Sequence, residues 1–390
     1  MEKDNEKPFL CDELLEQILR KVPLKQRTRF KCISKFWQDL ITRLRHTSPS
    51  NSGLAFSFKK PCAKGDLKYE LTLIEINDRG KTCSINSSIP HEFPWLIDSC
   101  NGLLLFGRKD GSFLSYHVFS PMKNQWRRLP RGHDFLRLAS ASLAFDGSRP
   151  NFKVICNFWE EADTENGTIT YQIFSSKNWE WRECRARIHK SGLLLSNQDF
   201  NMNEWSCPSL YRKGKVYWIW SIYLLVLDEE EESFKLMKLP KNKETKMSVY
   251  CGKRLWEFEG LLHYCDSTYM GFYIWYYAEN SVHNKKKNDC KLMWRPKHRV
   301  QFDLLVSRIK EVLQIEEEDK FKISPFIVKP CALNEDLEIL YLQLPGSIGA
   351  YSFETRKLVK VHSDSAIGNN INDNIYPFLF EAVDLFGKDY

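Results

Sequence analysis

Hydrophobic residues recur with a helical period near the start of the chain. Between Leu10 and Ile41 they return every three or four positions, and Phe30, Ile33, Phe36, Trp37, Leu40 and Ile41 continue the pattern begun by Leu14, Leu15, Ile18, Leu19 and Val22. Pro23 ends the first helix and suits the start of the next. The pattern predicts about three short helices. Because so small a unit cannot bury all its apolar surface alone, we expect it to need a partner.

The pattern changes from about residue 66 to short, strand-like apolar runs separated by turns. Glycines at 102, 147, 214 and 260 begin successive runs, at irregular spacing. Aromatic residues make up 14% of the chain and favour sheets. We therefore predict a mostly β protein with a small α N-terminal domain, its β part built as a β-propeller of four-stranded blades. A β-sandwich is the alternative, and the helix-like Val306–Gln314 is either an insertion between strands or a strand.

The change from a helical period to strand-like apolar runs predicts a division into domains. Residues 1–46 form the helical domain, residues 47–65 a connector rich in Ser, Pro, Gly and Lys, and residues 66–390 the β domain. Leu54–Phe58 is a candidate short strand within the connector. Hydrophobic content of 43% and charged content of 27% are typical of a globular protein.

Charge is scattered along the chain. The net charge is +7, but no basic stripe forms, so we expect no nucleic-acid partner. Lys285–Lys287 is interpreted as a loop tip, and Asp228–Glu232 as a solvated turn. No apolar run is long enough to span a membrane and the N-terminus lacks a signal-peptide pattern, so we expect no membrane partner and a location in the cytoplasm, the nucleus or both.

Patterns of catalytic and metal-binding residues are absent from the sequence. No two of the 12 cysteines lie closer than Cys251 and Cys265, and the nine histidines are dispersed. Gly80-Lys81-Thr82 ends like a phosphate-binding loop, but Glu75 stands where the first glycine is required. We expect no metal, no cofactor and no catalytic residue. Cys156, Cys265 and His263 are expected to lie in the core.

The helical segment carries a run of residues that resembles the F-box of plant F-box proteins. The matching positions are Leu10, Glu13, Leu14, Leu15, Ile18, Leu19, Pro23, Lys25, Arg29, Phe30, Cys32, Ser34, Lys35 and Trp37. The resemblance implies docking onto the Skp-type adaptor of a cullin-RING ubiquitin ligase, and through it onto a cullin. Cys11 replaces the usual proline, and Arg27 and Thr28 replace two usual leucines. These replacements remove apolar area and are expected to weaken docking.

The β region resembles the kelch-related, F-box-associated domain of the same proteins. The resemblance rests on the sequence SCNGLLLF at 99–106 and YHVFSPMKNQWRRLP at 116–130. Ser120 stands where the family usually has asparagine, and Lys123-Asn124 replaces a threonine-containing turn. The resemblance fades toward the C-terminus.

Together the two resemblances imply a non-catalytic, substrate-recognition subunit of an SCF-type ubiquitin ligase that binds an unidentified target protein through its β domain. The alternative is that the N-terminus is only a helical cap on the β domain, but a cap would not need this particular order of residues. The predicted adaptor-binding residues are Leu10, Cys11, Leu14, Leu15, Ile18, Leu24, Phe30, Ile33, Ser34 and Trp37, with Trp37 as the main anchor. The alternatives are an enzyme or a propeller lectin or small-ligand sensor, the latter suggested by Trp126 and the aromatic run Tyr269–Tyr277.

Overall fold

The computed structural model is described for the residues that follow, given by number. They are 14–15, 18–19, 30, 34–37, 40, 52–61, 67–76, 82–88, 95–110, 113–131, 138–146, 151–158, 168–189, 208–220, 222–240, 252–258, 260–278, 293–314, 328–334, 338–365, 367, 375–379, 383 and 385.

The strands form six four-stranded antiparallel blades, so the structure is a β-propeller and not a sandwich. Blade 1 contains β1 (Ser52–Pro61), β2 (Leu67–Ile76), β3 (Thr82–Ser88) and β24 (Tyr376–Leu379). Blade 2 contains β4 (Trp95–Cys100), β5 (Leu103–Asp110), β6 (Phe113–Ser120) and β7 (Gln125–Arg128). Blade 3 contains β8 (Leu138–Ala144), β9 (Lys153–Phe158), β10 (Thr168–Ser175) and β11 (Glu180–His189).

The remaining blades follow the same order along the chain. Blade 4 contains β12 (Leu210–Arg212), β13 (Lys215–Trp220), β14 (Tyr223–Asp228) and β15 (Ser233–Lys238). Blade 5 contains β16 (Arg254–Phe258), β17 (Leu261–Thr268), β18 (Gly271–Ala278) and β19 (Met293–Gln301). Blade 6 contains β20 (Lys329–Asn334), β21 (Ile339–Leu344), β22 (Ser347–Ser352) and β23 (Leu358–Ser363).

The innermost strands close a ring around the propeller axis. They are β24, β4, β8, β12, β16 and β20, and each contacts the next, including β20 with β24. Blade 1 is completed by β24 from the end of the chain, which pairs with β1 so that Ser52 lies opposite Leu379. Two distant parts of the chain therefore complete one blade. At the periphery, β11 pairs in parallel with β15 and joins blades 3 and 4 into one eight-stranded sheet.

The antiparallel order defines two faces of the propeller. The upper face carries the starts of the innermost strands, and the lower face carries their ends. Because β1 runs antiparallel to β24, β1 starts at the lower face. The chain that precedes residue 52 therefore joins the propeller at the lower face.

Apolar side chains fill both sides of the blades. In β21, for example, Leu340, Leu342 and Leu344 pack with blade 5, whereas the alternate residue Tyr341 packs with blade 1. Successive side chains of a strand point to opposite faces, so a blade between two neighbours needs apolar residues at nearly every position. This requirement explains why the central strands appear in the sequence as continuous apolar runs.

The helix-like segment is confirmed as an insertion between strands. Helix α1 (Phe302–Leu313) connects β19 to β20 at the upper face. Phe302, Leu305 and Ile309 are buried at helical spacing in the core shared by blades 5 and 6. Among the described residues, no helix is long and apolar enough to cross a membrane.

Two predictions need correction. The short strand at Leu54–Phe58 is confirmed as part of β1, which is longer and pairs with both β2 and β24, so Ser52–Pro61 belongs to the propeller and not to a connector. The acidic segment Asp228–Glu232 is more than a solvated turn, since it also carries ion pairs to neighbouring strands. These pairs are Lys215–Asp228, Lys153–Glu229 at 2.6 Å, Lys235–Glu231 at 3.0 Å and Arg182–Glu232 at 2.5 Å. Because Lys153 and Arg182 belong to blade 3, the turn links blade 4 to blade 3.

Candidate functional site

The described residues of the N-terminal helical domain form a small apolar core. Leu15, Leu19 and Leu40 are buried, and Phe30, Phe36 and Trp37 pack against them. The ring of Trp37 lies 6.1 Å from that of Phe30 and 6.2 Å from that of Phe36. The Trp37 amide donates to the Ser34 hydroxyl at 3.3 Å, so Ser34 acts as a helix N-cap. Leu15, Phe30, Ser34 and Trp37 thus have a structural role within this domain.

Two of the predicted adaptor-binding residues face outward instead. Leu14 and Ile18 are each 47% exposed, and they lie four positions apart on one side of a helix. When a partner covers a pair of exposed large apolar side chains, the free energy of the complex falls. Such a pair therefore marks a candidate binding surface. Of the other predicted residues, Leu10, Cys11, Leu24 and Ile33 lie outside the described residues, as do Arg27 and Thr28.

The C-N-G sequence of blade 2 has a structural explanation. Asn101 and Gly102 form the turn between β4 and β5 with φ values of 44° and 86°, as a tight hairpin turn requires. The side-chain amide of Asn101 donates to the carbonyl of Phe145 at 2.5 Å, and the Cys100 thiol donates to the same oxygen at 3.2 Å. Because Phe145 follows β8, this sequence holds blade 2 against blade 3.

Residues 116–130, which carry the second part of the resemblance, also hold parts of the fold together. The Trp126 ring stacks on Phe119 with centroids 4.0 Å apart. The Ser120 hydroxyl donates to the carbonyl of Val383 at 2.5 Å, and the Gln125 side chain accepts from the amide of Leu385 at 2.8 Å. Blade 2 therefore fixes the described residues that follow β24, and Trp126 serves packing.

The aromatic run Tyr269–Tyr277 also packs mainly inside the propeller. Phe272 and Ile274 face the core with blade 6, and Tyr273 and Trp275 face the core with blade 4. Cys156, Cys265 and His263 are buried, as predicted. The four central residues of the run are thus engaged with other side chains.

A buried carboxylate links three blades near the axis. Asp98 lies at a bulge in β4 and accepts from the Ser209 hydroxyl at 2.6 Å, the Leu143 amide at 2.9 Å and the Ser99 amide at 2.9 Å. Burial raises the pKa of Asp98 to about 7, against the effect of these three donors. Since Leu143 belongs to blade 3 and Ser209 precedes blade 4, Asp98 is a structural junction between blades 2, 3 and 4.

Positively charged residues gather where the innermost strands of blades 5 and 6 begin. Lys253 directly precedes β16, Arg254 starts β16, Lys329 starts β20, and all three are buried. Asp266 is buried in the same blade end, where burial raises its pKa to about 6 although Lys253 and a hydrogen bond from Tyr264 lower it. The upper end of these two blades is therefore rich in cations. Among the described residues, no group of three or more His, Cys, Asp or Glu residues could hold a metal ion.

Sequence reasoning missed Asp98 and this basic group. Asp98 sits in WLID, just ahead of a turn, and Lys253 and Lys329 each precede or start a short strand that lacks a regular apolar pattern. A buried charge in the middle of an apolar run is the one signal that the sequence offers for Asp98.

Two family models match the chain. Residues 72–326 match the family described as the F-box associated beta propeller domain, and residues 9–48 match the F-box domain. The chain is 25% identical to F-box protein At5g07610 of Arabidopsis thaliana over 94% of this chain and 89% of that protein. It is 24% identical to F-box protein At5g49610 of the same plant over 71% of this chain and 77% of that protein. Among solved structures, TolB from Acinetobacter baumannii has a TM-score of 0.46 at 8% identity, over 88% of this chain and 71% of that one.

Proposed function

Because the chain belongs to the family of F-box proteins with an F-box-associated β-propeller domain, we propose that it is the substrate-recognition subunit of an SCF-type ubiquitin ligase. The F-box docks onto a Skp-type adaptor and through it onto a cullin, and the propeller holds a target protein. One observation carries the proposal, namely that the chain joins an F-box to a six-bladed propeller.

The mechanism needs no covalent chemistry from this chain. Holding a target lysine beside a carried ubiquitin raises their effective concentration, and this proximity accelerates the transfer. The chain itself supplies binding and position.

The exposed pair Leu14 and Ile18 is the part of the predicted adaptor-binding set that the proposal now favours. Their side chains are available to a partner, whereas Leu15 and Leu19 already fill the core of the helical domain. Leu10, Cys11, Leu24 and Ile33 remain predicted contacts. Location in the cytoplasm or the nucleus also stays a prediction.

The proposal is tested by co-precipitation of a purified Skp-type adaptor with the full chain. The double variant Leu14→Glu with Ile18→Glu should lose most of the bound adaptor, because a charge at each position prevents burial of the surface. Val359→Glu is the matched control, since Val359 is also an exposed apolar residue but lies on β23 of the propeller. Absence of binding by the unchanged chain, or equal binding by the double variant, would contradict the proposal.

A further inference from the structure

The chain that follows β24 returns to the propeller at the lower end of blade 2. Val383 and Leu385, the described residues in that part of the chain, are both buried. They pack in the apolar core that blades 2 and 3 share. We call these two residues the docked segment. The surface of blade 2 that they cover is bounded by Ser120 and Gln125, and we call it the blade 2 groove.

The hydrogen bonds of the blade 2 groove reach the backbone of the docked segment. Ser120 and Gln125 lie opposite each other at the adjoining ends of β6 and β7. The Ser120 hydroxyl donates to the carbonyl of Val383 at 2.5 Å, and the Gln125 side-chain oxygen accepts from the amide of Leu385 at 2.8 Å. Almost every residue type offers the same backbone groups. These bonds therefore fix the position of a docked chain without selecting its side chains.

Selection comes from the two apolar side chains of the docked segment. Val383 is 9% exposed and Leu385 is 8% exposed, and one residue separates them. The core cluster around them is apolar, so a charged side chain at either position would be buried at a high cost in free energy. The docked segment thus shows what the blade 2 groove accepts, namely two apolar side chains with one residue between them.

The docked segment is held by fewer contacts than the strand before it. All four residues of β24 pair with β1, whereas neither described residue of the docked segment belongs to a strand. Within the described part of the chain, two hydrogen bonds and two buried side chains hold the docked segment. A segment with few contacts opens at a lower free energy than the blades need to unfold. The blade 2 groove can therefore open while the propeller stays folded.

We propose that the blade 2 groove is a peptide-docking site, which the docked segment fills in the free protein and which a segment of the target protein fills in its place. The target segment has two apolar residues separated by one residue, as the docked segment has. The groove lies at the lower face, where the chain from the F-box joins the propeller. A target bound there is held on the side of the propeller to which the ligase is attached. This inference deepens the proposed function and rests on it.

Hydrogen exchange of the isotope-labelled full chain, followed by NMR, tests whether the docked segment leaves the groove. The amide of Leu385 should exchange at least about tenfold faster than the amides of β24, because it opens without global unfolding. An excess of an unlabelled synthetic peptide with the sequence of residues 380–390 should accelerate the exchange of Leu385 further and leave that of β24 unchanged. Exchange of Leu385 as slow as that of β24 would overturn the proposal, since the docked segment would then leave only when the protein unfolds.

Peptides displayed on phage test the chemistry of the segment that replaces it. They are selected on the full-length double variant Val383→Ser with Leu385→Ser, in which the groove is open more often. The expected winners carry two apolar residues separated by one residue and compete with the synthetic peptide. They should bind the unchanged chain about tenfold more weakly, because there they must displace a segment of the same chain. Winners without this spacing, or winners that do not compete, would overturn the proposal.

Gln125→Ala and Lys123→Ala, each added to the double variant, form a matched pair. Gln125→Ala removes the acceptor of the backbone amide, so the affinity for the synthetic peptide should fall about fivefold. Lys123 is exposed in the same turn, and its replacement should leave the affinity unchanged. Equal effects of the two replacements would contradict the proposal.

Equal melting temperatures show that the variants are folded, and if the double variant does not fold, the exchange measurement on the unchanged chain decides. Because no adaptor is present, these results are independent of adaptor binding, which tests the proposed function separately.

Discussion

Single polar side chains join neighbouring blades at the residue scale. Asp98 gathers donors from blades 2 and 3 and from the residue before blade 4, and Asn101 and Cys100 share one carbonyl of blade 3. A buried polar group costs free energy unless it is paired, so each such bond constrains where the next blade sits. The C-N-G residues on which the family resemblance rests thus hold neighbouring blades together. They therefore predict the fold and carry no information about binding.

We expect the stability of the propeller to carry a pH dependence from Asp98. Burial raises its pKa in the folded protein to about 7, above the value of an unfolded aspartate. The folded state therefore binds the proton more tightly, and the contribution of this group to stability falls as the pH rises from about 4 through about 7. Relative to Asp98→Asn, the unchanged protein should lose about 2–3 kcal/mol between about pH 5 and about pH 8.

Chemical denaturation of both proteins across that pH range measures this difference, because the other titrating groups, including Asp266, cancel in the comparison. A difference that is constant with pH would show that Asp98 does not change protonation in this range.

The contribution of the Asn101 hydrogen bond to the free energy of unfolding should be measurable by comparison with a second turn. Asn101 and Asn124 both adopt positive φ, at 44° and 53°, but Asn124 is exposed in the turn after β6. Both alanine variants remove a residue that tolerates this conformation, and Asn101→Ala also removes the bond to the carbonyl of Phe145. Asn101→Ala should therefore destabilise the protein by about 1 kcal/mol more than Asn124→Ala in urea denaturation. Equal losses would mean that the bond contributes nothing.

At the scale of helices and strands, the sequence pattern predicts some elements and not others. Long apolar strands in the middle of a blade, such as Tyr223–Asp228, are predicted with their observed bounds, and α1 follows from its helical period. Five innermost strands, β4, β12, β16, β20 and β24, are not predicted from the sequence. They are short, and β16 and β20 also begin with buried cations. Their strand structure comes from pairing on one side and contact with the ring on the other, and neither leaves a local pattern.

The sequence predicts only part of the candidate site in the N-terminal helical domain. The period of the N-terminal segment predicts which residues are apolar and helical. It does not separate the exposed Leu14 and Ile18 from the buried Leu15 and Leu19, because adjacent positions both lie on a broad face and the packing of Leu40 decides between them.

Gly271 should be the most sensitive of the described glycines in blade hairpins. A Cβ there would meet the Val300 carbonyl oxygen at 1.9 Å, whereas a Cβ at Gly214, which also has positive φ, would meet nothing within 4 Å. Gly271→Ala should cost about 3 kcal/mol or more, and Gly214→Ala about 1–2 kcal/mol from backbone strain alone. Thermal or urea denaturation distinguishes the two. Similar losses would contradict the close packing of Gly271 against the Val300 carbonyl of β19.

Closure of the propeller belongs to the scale of the whole molecule. The ring is complete only when β24 pairs with β1, so blade 1 requires strands from both ends of the β region. A chain that ends after residue 374 loses β24 and leaves the edge of β1 and the neighbouring contacts with β4 and β20 uncovered.

We expect this truncated chain to aggregate or to lose cooperative unfolding. A chain that ends after residue 385 keeps β24 and the Gln125 contact with Leu385, and serves as the control that should remain monomeric and stable. Gel filtration and thermal melting report both properties. A truncated chain that stays monomeric and melts like the control would show that closure by β24 is dispensable.

The central claim is that one chain links a ligase adaptor to a target. Affinity capture from plant cells with the proteasome inhibited tests it most directly, with the full chain compared with a chain that lacks the F-box residues 9–48. The full chain should recover a Skp-type adaptor and a target that carries ubiquitin. The shortened chain should recover the same target without the adaptor and without the added ubiquitin. Recovery of equally ubiquitinated target by both chains, or of adaptor by the shortened chain, would contradict the account.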